Sequence, residues 1–395
     1  MIDFKPKFHE SPLTPSAPMM RTLQFAASLI TSLFGNLVIA GMLGQPTPIN
    51  YSPDLAQANF HLLQVLSASP AEEIFFNPIN GIHQSVTVAV IDSGVDLNHP
   101  DFRDNLWTNL NEIPANQIDD DSNGFIDDIH GYNFASGTGD PSFEKTRENS
   151  SWQYAHGTHV AGLLNFVANH QRSFVRIMPL NNMGRTAKMD QQDTAHAIRY
   201  AVDNGADVIN LSLGSSNHAI PMLTNALEYA SRHHVVVLAA AGNEGKSIDG
   251  GYSAAGLAVD IPGLISVGNF RATDFKKSDT SNFGTNFVKL AAPGCDSQSV
   301  GFLTPAPDQG HSAFSGTSAA TPISSAAAAL AVGLVKSRGY RIDAGSIEHL
   351  LLDSAIPRPS LNAYFRGGRA LNLASLAALI ESRFPARSIA RIGKN

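Results

Sequence analysis

Four residues spread along the chain have the types and settings that nucleophilic chemistry requires. Ser318 lies in SGTSAATP, a turn of small residues leading into a stretch that stays small and apolar on every side to Leu334. That pattern marks a helix buried all round. A serine at its mouth has its Oγ and N–H beside the positive end of the helix dipole, where negative charge developing in acyl transfer is stabilised. The same position suits an N-cap serine, a common role before a helix, so the partners must decide. A serine nucleophile needs a base within hydrogen-bond reach and a carboxylate that fixes the base's tautomer. His156 opens HGTHVAGLL, where Gly157 lets another backbone approach closely, and Asp92 ends the run VTVAVID before Ser93-Gly94. The side-chain amide of Asn243, with the N–H of Ser318, would supply donors for an oxyanion.

The elements that must position these residues share one grammar. Val86–Ile91 is β-branched with both faces apolar, as in a parallel strand buried on both sides. ADVINLSLGSS, HHVVVLAAAGNEG, GLISVGN and FVKLAAPG repeat the pattern. Helical stretches lie among them: HGTHVAGLLNFVAN, QQDTAHAIRYAVDNG and MLTNALEYASRHH. Alternating strands and helices predict an α/β fold, a three-layer, doubly wound, mostly parallel sheet with helices on both faces. In such sheets the ligand crevice lies outside the carboxyl ends of the strands. Asp92, Ser212–Gly214 and Asn243 all fall at such ends.

The motifs VAVIDSGVDLNHPDF, HGTHVAGLL, INLSLG, VVVLAAAGNEG and SGTSAATP occur in that order. Together they resemble the successive signatures of the subtilisin-like serine proteases, the subtilases, and the order Asp…His…Ser is also that family's. The resemblance implies a serine endopeptidase acting through an acyl-enzyme. Asp92 then orients His156, His156 is base and then acid, Ser318 attacks, and Asn243 polarises the oxyanion. It also implies that Ser212, Leu213 and Gly214 pair with substrate backbone as an added strand. Ala241 and Gly242 become a wall of the side-chain pocket, Gly184 part of the opposite binding edge, and His159 a structural residue. The alternative is a catalytically silent binding protein that keeps the subtilase fold. Ala319 and Pro322-Ile323 replace the Met and Pro-His pair frequent in the family. Neither position carries a proton, so activity is expected to survive.

The interval between Asp92 and His156 is longer than a compact site needs and contains NQIDDDSNGFIDDIH. Asp119, Asp121 and Asn123 occupy positions 1, 3 and 5 of a calcium-loop pattern, with Gly124 at position 6. Phe125 could offer its carbonyl, and Asp127 and Asp128 are in reach, although His130 stands where the bidentate Glu of a full loop would be. A structural calcium is the expectation, against a solvated acidic loop; no organic cofactor is implied.

A net charge of −7 over 395 residues argues against nucleic-acid binding. The single cysteine, Cys295, excludes an intrachain disulfide framework. AAGNEGKS imitates a phosphate loop, but Asp249-Gly250-Gly251 breaks the helix that must follow one. Leu23–Leu43 is largely apolar and follows Lys5, Lys7 and Arg21, so an exported protein is expected, with either a cleaved signal or a retained membrane anchor. The expected organisation is a leader over 1–45, an extension over 46–79, a catalytic domain over 80–382 with the acidic insert at 105–150, and a basic tail over 383–395. Polypeptide substrates and a monomer are expected.

Overall fold

The computed structural model describes residues 84–143, 151–169, 174–183, 189–213, 220–248, 254–294, 302–306 and 310–386, with Leu62, Leu66 and Ile82. The chain divides into two units, Met1–Thr47 and Pro48–Asn395. The leader, Gly184, Gly214, Cys295 and the tail beyond 386 lie outside the described residues.

The sheet has nine strands among the described residues. In chain order these are β1 (Val86–Asp92), β2 (Tyr132–Asn133), β3 (Val175–Asn181), β4 (Val208–Leu211), β5 (Val236–Ala240), β6 (Leu264–Phe270) and β7 (Leu290–Pro293). A separate antiparallel hairpin follows, β8 (Phe302–Ala306) and β9 (Gly310–Phe314), and then β10 (Ile356–Pro357) and β11 (Arg369–Ala370). The order across the sheet is β10-β11-β7-β6-β5-β4-β1-β3-β2. All pairings are parallel except β10 with β11.

The α-helices described over their full length are α1 (Ser151–Asn169), α2 (Gln191–Asp203), α3 (Pro221–Arg232), α4 (Thr317–Ser337), α5 (Ala344–Ser354) and α6 (Leu373–Arg383). Alternate strand residues explain the three layers. Val86, Val88 and Val90 face a core shared with α1 and α4–α6, whereas Ala89 and Ile91 face one shared with α2 and α3. The doubly wound sheet expected from the apolar strand runs is therefore present. Leu62, Leu66 and Ile82 are fully buried in the first of these cores. Helix α4 is long and apolar enough to cross a membrane, yet its apolar stretch is wholly buried in the protein; it is the central core helix.

Two boundaries differ from expectation. His156 does not open its helix, which begins at Ser151 and places His156 in the second turn. Pro322 does not start α4 either: the helix begins at Thr317 with Gly316 as N-cap. Ser318 is thus the second helical residue and not the cap.

Candidate active site

Strand β1 delivers Asp92 to the carboxyl edge of the sheet with its side chain fully buried. Its Oδ1 accepts the N–H of Ser93 at 2.7 Å and lies 2.8 Å from His156 Nδ1. The carboxylate therefore holds the proton on Nδ1 and leaves Nε2 as the lone-pair nitrogen. The hydroxyl of Ser93 accepts the Gly157 N–H at 3.0 Å, tying the end of β1 to α1. A Cβ on Gly157 would sit 2.3 Å from the Gly94 carbonyl, so only glycine lets the two segments meet. Burial pushes the His156 pKa down, but the charge and hydrogen bond of Asp92 outweigh it and hold the imidazole above its ordinary value.

Ser318 is brought to the same edge by α4. Its hydroxyl donates to the Ser212 carbonyl at 3.3 Å, and the Ser212 hydroxyl donates to the Ser318 carbonyl at 3.1 Å. Proline has no N–H, so Pro322 leaves the Ser318 carbonyl, its partner four residues back, open for this bond. The Ser318 hydroxyl points at Ser212 and not at His156. Asn210 Nδ2 donates to the Ser212 hydroxyl at 3.0 Å and its Oδ1 accepts from Ser325 at 2.9 Å, so the pair rests on a buried network.

Asn243 leaves the end of β5. Its Oδ1 accepts both the N–H and the hydroxyl of Thr317, at 2.9 and 3.0 Å. This assigns the amide orientation and turns Nδ2 outward, with no partner among the described residues. Gly316 makes the approach possible: its φ is +111°, and a Cβ would lie 3.2 Å from Asn243 Oδ1. The Ser318 N–H is one of the donors that a helix start leaves unpaired.

Ala241 and Gly242 continue from β5 and are held by Asn282, whose side chain bonds Ala241 O, Glu244 N and Lys246 N. Asn282 was not evident from sequence, because it lies in an unpatterned loop. Leu213 is buried beside Ser212. His159 is buried, bonds Thr304 Oγ1 at 2.7 Å and stacks on Phe314 at 5.2 Å. Burial first, and the neighbouring His156 second, lower its pKa to about 4, so it is a neutral structural ring.

In the acidic insert, carboxylate oxygens of Glu112, Asp119 and Asp121 lie within 4.8 Å of one another. Among the described residues none of the three pairs with a cation. Glu112 was also missed from sequence. Its Oε1 accepts the N–H groups of Asp120 and Asp121, and its Oε2 accepts that of Asp127. The other candidates are differently engaged. The Asp127 carboxylate accepts from Asn116 N and Gln117 N, while Asp128 is buried and bonded by Asn109, Asn123 and Tyr200. Asn123 Oδ1 accepts the Phe125 N–H, and the Phe125 ring packs against Tyr132 and Tyr200.

A parallel α/β sheet that carries this Asp–His pair and a helix-borne serine at its carboxyl edge has the architecture of the subtilisin-like proteins. The model of the subtilase family matches residues 83–377, and the chain belongs to that family. Among similar proteins, Subtilisin-like protease 1 of Plasmodium falciparum (isolate 3D7) is 28% identical over 320 residues, covering 73% of this chain and 44% of that protein. A thermophilic serine proteinase of Bacillus sp. (strain AK1) is 32% identical over 249 residues, covering 62% of this chain and 51% of that protein. The chain thus spans about half the length of these relatives or less. Among solved structures, a lanthipeptide protease superposes with a TM-score of 0.62 at 23% identity, over 83% of this chain and 96% of that one. The prenylagaramide maturation protease PagA gives 0.56 at 25% identity, over 78% and 98%.

Proposed function

We propose that the chain is a serine endopeptidase in which Asp92, His156 and Ser318 form the catalytic triad. The observation that carries this reading is the 2.8 Å bond between His156 Nδ1 and the buried Asp92, at the edge where α4 presents Ser318. The Ser318 hydroxyl turns from Ser212 to His156, Oγ attacks the peptide carbonyl carbon, and its proton passes to Nε2. The C–N bond then breaks, His156 returns the proton to the leaving amine, and an ester on Ser318 remains. Water, deprotonated by His156, hydrolyses that ester and restores the serine. Asn243 Nδ2 and the Ser318 N–H stabilise the oxyanion in both halves. Ser212 to Gly214 and Gly184 hold the substrate backbone, and Ala241 and Gly242 wall the side-chain pocket. That both quoted relatives are named as proteases or proteinases supports the same reading.

The donor set of the insert fits calcium: three clustered carboxylates with no cationic partner among the described residues suit a hard divalent ion. Glu112, Asp119 and Asp121 would hold it, and its charge would offset their mutual repulsion. The protein acts on polypeptides as an exported monomer. A peptide-library digest tests the reading: wild-type protein cleaves internal bonds and Ser318→Ala does not. Equal cleavage by both, or none by wild type, would overturn it, the latter in favour of a silent binding protein.

A further inference from the structure

The turn after β1 and strand β9 bring together two histidines and a carboxylate that the proposed reaction does not use. His99 caps the single helical turn Pro100–Phe102, accepting the Asp101 N–H on Nδ1 at 3.2 Å. From far along the chain, His311 places its Nε2 3.0 Å from Asp101 Oδ2. On the other side His99 Nδ1 lies 3.8 Å from Asp101 Oδ1. One ligand atom from each of the three lies within 4.8 Å of the others.

This spacing is that of a metal's donors. Four donors about 2.0–2.2 Å from a tetrahedral ion stand about 3.3–3.6 Å apart, and the two histidine nitrogens approach the two oxygens of the one carboxylate to 3.0 and 3.8 Å. The tautomer is suitable as well. His99 Nε2 lies 3.0 Å from the Gly310 carbonyl, so it carries the hydrogen and leaves the Nδ1 lone pair turned toward Asp101. A ligating histidine characteristically anchors its other nitrogen in this way. The only claim on that lone pair among the described residues is the 3.2 Å contact from Asp101 N–H, which an ion would displace. His99 is 1% exposed and Asp101 9%, whereas the His311 side chain is 20% exposed. Two donors are therefore fixed and the third opens to solvent, giving an ion a way in and a water a fourth position. Two imidazoles with one carboxylate favour zinc-class ions over calcium.

We infer that His99, Asp101 and His311 form a zinc-class metal site that staples β9 to the turn after β1. Its place in the fold gives it a consequence. β9 ends at Phe314, whose ring meets His156 edge-on at 5.3 Å and stacks on His159, and the chain then runs directly into Ser318. An ion on His311 would fix the strand that leads to that serine.

The test uses the whole chain carrying Ser318→Ala, stripped of metal and kept in excess calcium so that the insert does not compete. Cobalt(II) serves as the visible probe and zinc as its competitor. One equivalent of cobalt should give the intense d–d absorption of a four- or five-coordinate ion, zinc should abolish it, and zinc should raise Tm. His311→Ala should weaken binding at least about a hundredfold, beyond the usual loss from a supporting residue. His311→Gln, which keeps a donor to Asp101, should lose the absorption while keeping the near-ultraviolet circular dichroism of the parent. His233→Ala, an exposed histidine elsewhere, should change neither. Absence of the absorption in the parent, or cobalt binding unaltered in both His311 variants, would overturn the site.

Discussion

Ser212 and Ser318 exchange hydrogen bonds, each hydroxyl donating to the other's carbonyl, at 3.1 and 3.3 Å. Pro322 offers no N–H to the Ser318 carbonyl, so the helix makes no claim on it and the Ser212 hydroxyl bonds it instead. The start of α4 is thereby clamped to Ser212, the first residue after β4 and of the segment proposed to meet substrate. Ser212→Ala removes one of the two bonds and leaves Asn210 Nδ2 short of an acceptor. It should lower kcat about tenfold, the equivalent of one net hydrogen bond, with KM little changed. Steady-state kinetics decide the point, and an unaltered kcat would show the clamp to be irrelevant to the reaction.

The His156 pKa is held up by Asp92 against the lowering effect of burial. The base must be neutral, so activity falls as pH drops through that pKa. Asp92→Asn should reduce kcat by about ten-thousand-fold, because the imidazole loses its tautomer and its counter-charge. In the residual kcat/KM profile the acid limb should move to lower pH, since burial then acts unopposed. A limb that stays in place or moves upward contradicts the assignment.

His159 works in the opposite direction. Its folded pKa of about 4 lies below the ordinary 6.5, so between those values the unfolded chain binds the extra proton. Stability from this residue is complete above about pH 6.5 and is lost as pH falls toward 4, on the order of 3 kcal/mol in total. Denaturant unfolding from pH 7 to 4.5 should show this decline. His159→Gln should be less stable at pH 7 but should show a shallower decline, and parallel declines in the two proteins would contradict the reading.

Asn243→Ala should cost about a hundredfold to a thousandfold in kcat, the range for removing one oxyanion donor. It also strips the acceptor from Thr317, so a lower Tm should accompany it. Asn243→Asp separates the two effects. It keeps the acceptor for Thr317 but cannot donate, and should restore Tm while leaving kcat low. Recovery of kcat in Asn243→Asp would rule out the oxyanion role.

A calcium-selective chelator should lower Tm by about 5 °C, as expected for loss of an ion bound well below its free concentration. Glu112→Gln and Asp121→Asn should lower Tm in calcium and blunt the response to chelator. Equal chelator responses in parent and variants would leave the insert as a solvated acidic loop.

How much of this was legible in the sequence follows from the range of the interactions. β1, β4, β5, β6 and β7 were readable because both faces of each strand are apolar, a local pattern. Strand β3 was not, because Arg176 and Pro179 interrupt its apolar run, although it pairs with β1 along its whole length. The β8–β9 hairpin was hidden for the same reason, with Pro305 in one arm and polar residues in the other. The motifs pointed to Asp92 and His156, and the structure brings the two together. Glu112 and Asn282 carry no motif; what makes them matter is the backbone N–H groups folded around them. Pro322 was legible as a helix signal but not in its real position, since its effect is on the Ser318 carbonyl four residues earlier, which bonds a serine 106 residues from Ser318 in sequence.

The most direct test of the central claim is labelling with a fluorophosphonate followed by peptide mass spectrometry. The account predicts one adduct on Ser318 in the wild-type protein, lost in Ser318→Ala and strongly slowed in His156→Ala. An adduct on another serine, or none in folded wild-type protein, would contradict it.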